Sequence, residues 1–114
     1  MAQVLFSQLI MVGPTEEFLS RGVVQTGLNN SIRWSRRLAG LNFKGGTILA
    51  SALFGVGHVS NLIAHPVRQV LPQAGEAALI GLVIGMLYDR YPNLWGASIL
   101  HNVIDGLQAV IAYL

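Results

Sequence analysis

The sequence predicts an all-α protein, a polytopic transmembrane bundle of about four membrane-spanning helices. Three observations carry that prediction. Of the 114 residues, 53% are hydrophobic and only 11% charged, less than half the ~25% charge of an ordinary soluble domain. Four apolar segments are each about long enough to cross ~30 Å of hydrocarbon, which takes ~20 helical residues. Three of them carry ionisable side chains well inside their length. Hydrocarbon penalises such groups, so within a membrane they are rare and usually functional.

The first segment covers 3–28. Gly13-Pro14 should kink it or start a new helix there, and Thr15 followed by Glu16-Glu17 reads as a hydroxyl cap with an acidic first turn. Residues 29–44 read as a polar loop holding Arg33, Arg36, Arg37 and Lys44, with Trp34 as an interfacial anchor. The second segment, 45–63, is rich in small residues (Gly46, Ala50, Ser51, Ala52, Gly55, Gly57, Ser60) that let helix backbones approach closely. Residues 64–73, with His65-Pro66, Arg68 and Pro72, read as a loop. The third segment, 74–88, has Gly81 and Gly85 at small-xxx-small spacing and Glu76 near its start. A short turn, 89–93, leads to the fourth segment, 94–114, which carries His101 and Asp105.

Composition also excludes function classes. There are no cysteines, which removes disulfide and thiolate-metal chemistry. The net charge of +2 is small, and four of the seven basic residues fall in one loop, a distribution that fits the positive-inside rule rather than a nucleic-acid-binding face. That rule puts the 29–44 loop and the 89–93 turn on the cytoplasmic side, making the protein a multi-pass membrane protein.

At ~1.5 Å per helical residue from the cytoplasmic ends, Glu16 lies roughly 18 Å deep and His58 roughly 20 Å. On the same basis Arg21 and His101 lie near 10 Å and Asp105 near 16 Å. The ionisable groups therefore share one slab of the membrane, which argues for one buried polar site. Glu17 and Arg21 are four apart with the acid first, the favourable order for a helical ion pair. Glu16 points about 100° away and is free to face a cavity. His101 and Asp105 share a face, as do Phe54 and His58. Each feature alone has a plain structural reading: a helix-to-helix hydrogen bond for His58, a structural pair for Glu17–Arg21, packing for Phe54. Four costly groups at one depth call for a joint explanation.

These residues resemble the CPBP family of intramembrane proteases, also known as Abi or type II CAAX prenyl endopeptidases. The Glu-Glu-x-x-x-Arg motif of that family matches Glu16-Glu17-Phe18-Leu19-Ser20-Arg21, its Phe-x-x-x-His matches Phe54 to His58, and its His-x-x-x-Asn/Asp matches His101 to Asp105. The resemblance implies an all-helical fold of about eight transmembrane helices, of which this chain holds the C-terminal core. Residues 1–114 are thus expected to be a single protease core lacking N-terminal helices, with those helices or another chain completing the bundle.

The resemblance further implies an endopeptidase with Glu16 as general base, His58 polarising the water, and His101 and Asp105 positioning the scissile carbonyl. Glu17, Arg21 and Phe54 support them. No cofactor is expected. A divalent metal such as zinc stays open, with Glu16, His58 and His101 as its ligands, although no His-Glu-x-x-His helix supports one. The implied partners are membrane lipid and a peptide or prenylated-peptide substrate, in a bacterial or archaeal plasma membrane. The rival readings are a non-catalytic relative acting in bacteriocin immunity or as a scaffold, and half of a transporter. A transporter would show an inverted repeat, and the sequence has none.

Overall fold

The computed structural model describes residues 2–112 and 114. It is mostly helical, with one small antiparallel sheet. A first helix runs from residue 2 to 31, a hairpin pairs Ser35–Leu38 with Leu41–Lys44, and a second helix, Gly45–Gly57, tightens into a 3-10 stretch at His58–Ile63. A third helix, Val67–Arg90, and a fourth, Leu94–Ala112, complete the chain.

The distribution of side chains is inverted relative to a soluble domain. Glu17, Arg21, Gln25, Thr47, Ser51, Ser98, His101 and Asn102 are buried, whereas Leu53, Val56, Ile63, Leu71, Leu79, Val83 and Ile99 face outward. Such an apolar exterior is stable only against lipid or further protein. Two helical stretches, Gly45–Ile63 and Val67–Arg90, are long and apolar enough to cross a membrane. The expectation of four spans is therefore met for two. The first helix is divided into alternating α and π pieces, and the fourth has its apolar run interrupted by His101, Asn102, Asp105 and Gln108.

The first helix does not restart at Pro14. It passes through, with a π-turn at Ser7–Met11 just before the proline. Thr15 is no cap, because its hydroxyl donates back to the Met11 carbonyl at 2.9 Å. A second π-turn at Phe18–Gln25 has a physical reason. Glu17, Arg21, Gln25 and Asn29 recur every four residues. At 3.6 residues per turn each step of four overshoots a full turn by about 40°. A π-turn, with its i→i+5 bonds and roughly 4.4 residues per turn, falls short by about 30°. Alternating the two keeps the polar stripe on one face, and Glu17, Arg21 and Gln25 are all fully buried.

Residues 29–44 are not simply a loop, and the fold is not purely α. The hairpin register pairs Leu38 with Leu41 across Ala39 and Gly40, which both take positive φ, 49° and 79°. Two such residues make the tight turn whose twist matches paired strands. Residues 64–73 are likewise mostly helix. Pro66 caps the third helix, and Pro72 sits in its second turn, where the missing N–H is close to the exposed helix start.

The second and third helices pack most extensively, and the first meets the fourth over Val12–Glu17. Gly46, Ala50, Ser51 and Gly55 are at contacts as expected, while Ala52, Gly57 and Ser60 are exposed, the last two at the edge of a cavity. A Cβ on Gly55 would strike the Ala74 carbonyl at 2.6 Å, so the second and third helices approach to backbone distance there. Gly81 and Gly85 make room for Phe54 and Arg21, and for Gln25 and Thr47, respectively.

Candidate active site

Three helices deliver the ionisable residues to one place. From the first, the Glu17 carboxylate is shared. Its Oε2 accepts from Arg21 Nε at 2.9 Å, and its Oε1 accepts from His101 Nδ1 at 2.7 Å. All three residues are buried, with Glu17 and Arg21 fully so. Because Nδ1 donates to Glu17, the other ring nitrogen of His101 is aimed away from the packed interface. It lies 3.3 Å from Asp105 Oδ2 and 3.6 Å from Glu16 Oε2. One imidazole thus stands among three carboxylates.

From the second helix, Phe54 forms a wall between the two histidines, its ring centroid 5.0 Å from that of His58 and 5.8 Å from that of His101, both edge-on. The Arg21 guanidinium lies 5.5 Å over the same ring, a cation–π arrangement that strengthens when desolvated. His58 falls where the α-helix becomes 3-10. Its Nδ1 is 2.9 Å from the Phe54 carbonyl. A carbonyl only accepts, so Nδ1 bears the hydrogen, and the neutral ring offers Nε2 as an acceptor.

Glu16, His58, His101 and Asp105 line one cavity of about 780 Å3. Its side chains include no lysine or arginine. Glu16 Oε2 is inaccessible to solvent and has no hydrogen-bond partner among the described residues. A buried, unsatisfied carboxylate oxygen is costly, and this one sits beside a cavity large enough for water and substrate. Of the residues singled out in the sequence, Glu16, Glu17, Arg21, Phe54, His101 and Asp105 form one contacting cluster. His58 joins it across the cavity and makes no direct hydrogen bond to Glu16, His101 or Asp105 among the described residues. His65 is exposed and apart, while Glu76 accepts from Gln108 Nε2 at 2.6 Å beside the same cavity.

The arrangement does not suit a zinc ion. Among the described residues no group of three or more His, Asp or Glu side chains is arranged to hold a metal ion. No chemical step is therefore assigned to a metal.

Two parts of the site were missed in the sequence. Gln25 extends the polar stripe beyond Arg21. Its Nε2 donates to the Gly85 carbonyl at 2.9 Å and to Asp89 Oδ1 at 3.1 Å, while its Oε1 accepts weakly from Arg21 Nη1 at 3.5 Å. Asp89 also accepts from Asn29 at 3.0 Å, Lys44 at 3.4 Å and Thr47 at 2.5 Å. Continuing the four-residue step from Glu17 and Arg21 would have found Gln25. The second is Asn102, whose Oδ1 accepts the Gly13 backbone N–H at 2.6 Å and ties the first helix to the fourth beside His101.

A helical fold with an apolar exterior and buried carboxylates and imidazoles around a cavity defines a membrane-embedded protein built for polar chemistry. A family model described as type II CAAX prenyl endopeptidase Rce1-like matches residues 2–107, and the chain belongs to that family, which is one of membrane-embedded proteases. Searches of curated proteins and of solved structures return no match.

Proposed function

We propose that this chain is the catalytic core of an intramembrane endopeptidase, all four helices lying in the bilayer, which hydrolyses peptide bonds near the membrane surface with a glutamate-activated water. The observation that carries the reading is the placement of Glu16, whose buried Oε2 has no hydrogen-bond partner among the described residues, on a cavity it shares with His58, His101 and Asp105. Water held between the Glu16 carboxylate and His58 Nε2 gives its proton to Glu16 as its oxygen attacks the scissile carbonyl carbon. The carbonyl π bond breaks, and its electron pair becomes the oxyanion. His101, protonated at Nε2, donates to that oxyanion, and Asp105 steadies the ring. The oxyanion pair then reforms the C=O bond as the C–N bond breaks, its electron pair leaving on nitrogen, and Glu16 passes its proton to that amine. General-base assistance of this kind contributes roughly 10²–10⁴-fold, and preorganised donors at the oxyanion contribute on a similar scale.

The substrate class that goes with the family is a prenylated CAAX tail, with a bacterial peptide precursor as the alternative. No metal takes part in this scheme. Cleavage of candidate peptides in detergent or bilayer, compared among wild type, Glu16→Ala and His58→Ala, tests it. Loss of turnover in both variants with unchanged helical content supports the reading. Unchanged turnover in both ends it, and a chelator that abolishes wild-type turnover ends the metal-free scheme.

A further inference from the structure

Away from the candidate active site, a second cleft of about 730 Å3 lies between the hairpin and the end of the third helix. Arg37, Lys44 and Arg90 contribute three cations to it, against a single carboxylate, Asp89. That carboxylate is already occupied by Gln25, Asn29, Thr47 and Lys44. Neither Arg37 nor Arg90 has a carboxylate partner among the described residues. Arg90 is held by its own neighbour, donating from Nε to the Tyr91 hydroxyl at 3.1 Å, which leaves the outer edge of the guanidinium available. Two guanidiniums without carboxylate partners on one cleft offer charged hydrogen-bond donors to an anion.

The walls narrow the choice of anion. Leu41 and Leu87 line the same cleft and are 53% and 44% exposed. Leu38 and Trp34, at the tip and base of the hairpin, are also half exposed. The cleft sits where the third helix ends, and that helix is long and apolar enough to cross a membrane. A site with cations at the rim, apolar walls and a membrane-boundary position matches a molecule with an anionic head and a hydrocarbon tail. We infer that this cleft binds an anionic phospholipid, its phosphodiester held by Arg37 and Arg90 and an acyl chain running along Leu41 and Leu87. Arginine suits this task because its planar fork gives two parallel hydrogen bonds to phosphate oxygens. The inference requires only membrane insertion and is independent of the proposed hydrolysis.

The test uses the full chain in neutral detergent micelles on a Trp95→Phe background, which leaves Trp34, at the base of the hairpin that forms one wall of the cleft, as the sole tryptophan of the two in the sequence. Phosphatidylglycerol and phosphatidylcholine, each with brominated acyl chains, are titrated in and Trp34 quenching is followed. Phosphatidylglycerol should quench at a lower mole fraction by roughly fivefold for each arginine engaged. The Arg37→Gln/Arg90→Gln double variant should quench equally with both lipids. The Arg33→Gln/Arg36→Gln double variant, which removes the same charge outside the cleft, should keep the preference. Equal quenching by the two lipids in the Trp95→Phe background overturns the inference without reference to the double variants. Loss of preference in both double variants overturns it in favour of diffuse surface attraction. Relief of quenching by inorganic phosphate overturns it in favour of a free-phosphate site.

Discussion

Glu17 and His101, 84 positions apart in the chain, meet at 2.7 Å between Oε1 and Nδ1. The same carboxylate holds Arg21 through its other oxygen. Adjacent glutamates therefore do different work. Glu17 is enclosed and doubly bonded, while Glu16 lines the cavity and its Oε2 has no hydrogen-bond partner among the described residues.

That division predicts opposite outcomes for two conservative changes. Glu17→Gln removes a buried charge and leaves the Arg21 guanidinium uncompensated among fully buried neighbours. Breaking one side of a buried pair costs on the order of 3–5 kcal/mol, so unfolding in micelles by chemical denaturant should shift strongly to lower concentration. Glu16→Gln should unfold like wild type yet lose peptide cleavage. Equal stability of wild type and Glu17→Gln would show that the Arg21–Glu17–His101 chain does not hold the helices together.

The approach of the first helix to the fourth depends on Gly13. A Cβ there would overlap Asn102 Oδ1 and the Ser98 carbonyl, and the short hydrogen bond from Gly13 N to Asn102 would be lost. Overpacking of this kind costs about 1–3 kcal/mol, with a further ~1–3 kcal/mol for a buried donor left unsatisfied. Gly13→Ala should therefore lower stability clearly. Gly75→Ala, where the added methyl meets nothing within 4 Å, should be neutral or stabilising by up to about 1 kcal/mol, since alanine is the better helix former. Thermal unfolding of the two variants side by side checks the contrast.

Asp89 joins four elements: the first helix through Gln25 and Asn29, the hairpin through Lys44, the second helix through Thr47, and the third helix on which it stands. Asp89→Ala strips all four donors of their shared acceptor and should destabilise by roughly 2–3 kcal/mol, the scale of hydrogen bonds to a charged group. Lys44→Met removes only a long, partly exposed pair at 3.4 Å, with the lysine side chain 37% exposed. Solvent screening holds that pair to about 0–1 kcal/mol. If the lysine change proved the more damaging, Asp89 would be serving Lys44 rather than the buried amides.

How far the sequence revealed this arrangement depended on whether the signal was local. The pairs Glu17/Arg21, Phe54/His58 and His101/Asp105 are each four apart, and helix geometry alone puts each pair on one face. The Glu17–His101 bond has no local signature, because spacing along one helix says nothing of which helix it meets. Asp89 was hidden for another reason: it lies near Pro92 and Asn93, in a stretch that reads as a turn, whereas the third helix continues through Arg90. The start of that helix is hidden in the sequence as well, since Pro66 and Pro72 look like breakers until one occupies the cap and the other the second turn. The hairpin escaped notice because Ala39 adopts a positive φ that alanine takes only at a cost of roughly 1–2 kcal/mol, and the usual Asn-Gly signal is absent.

His58 offers the most direct discrimination of a chemical role from a structural one, because its two ring nitrogens do separate things. Nδ1 bonds the Phe54 carbonyl at 2.9 Å and anchors the ring, and Nε2 is left to the cavity. Asparagine reproduces the Nδ1 position and glutamine the Nε2 position. If His58 acts only as an anchor at the α to 3-10 junction, His58→Asn should behave like wild type and His58→Gln should be the weaker protein. If Nε2 holds the attacking water, the order reverses: His58→Asn keeps its fold but loses roughly 10²-fold or more in kcat, the scale of a lost acid–base or water-positioning group. His58→Gln then retains measurable turnover through its amide. The proposed mechanism requires the second order, with KM for the peptide little changed, because the nitrogen in question meets water and not the substrate backbone.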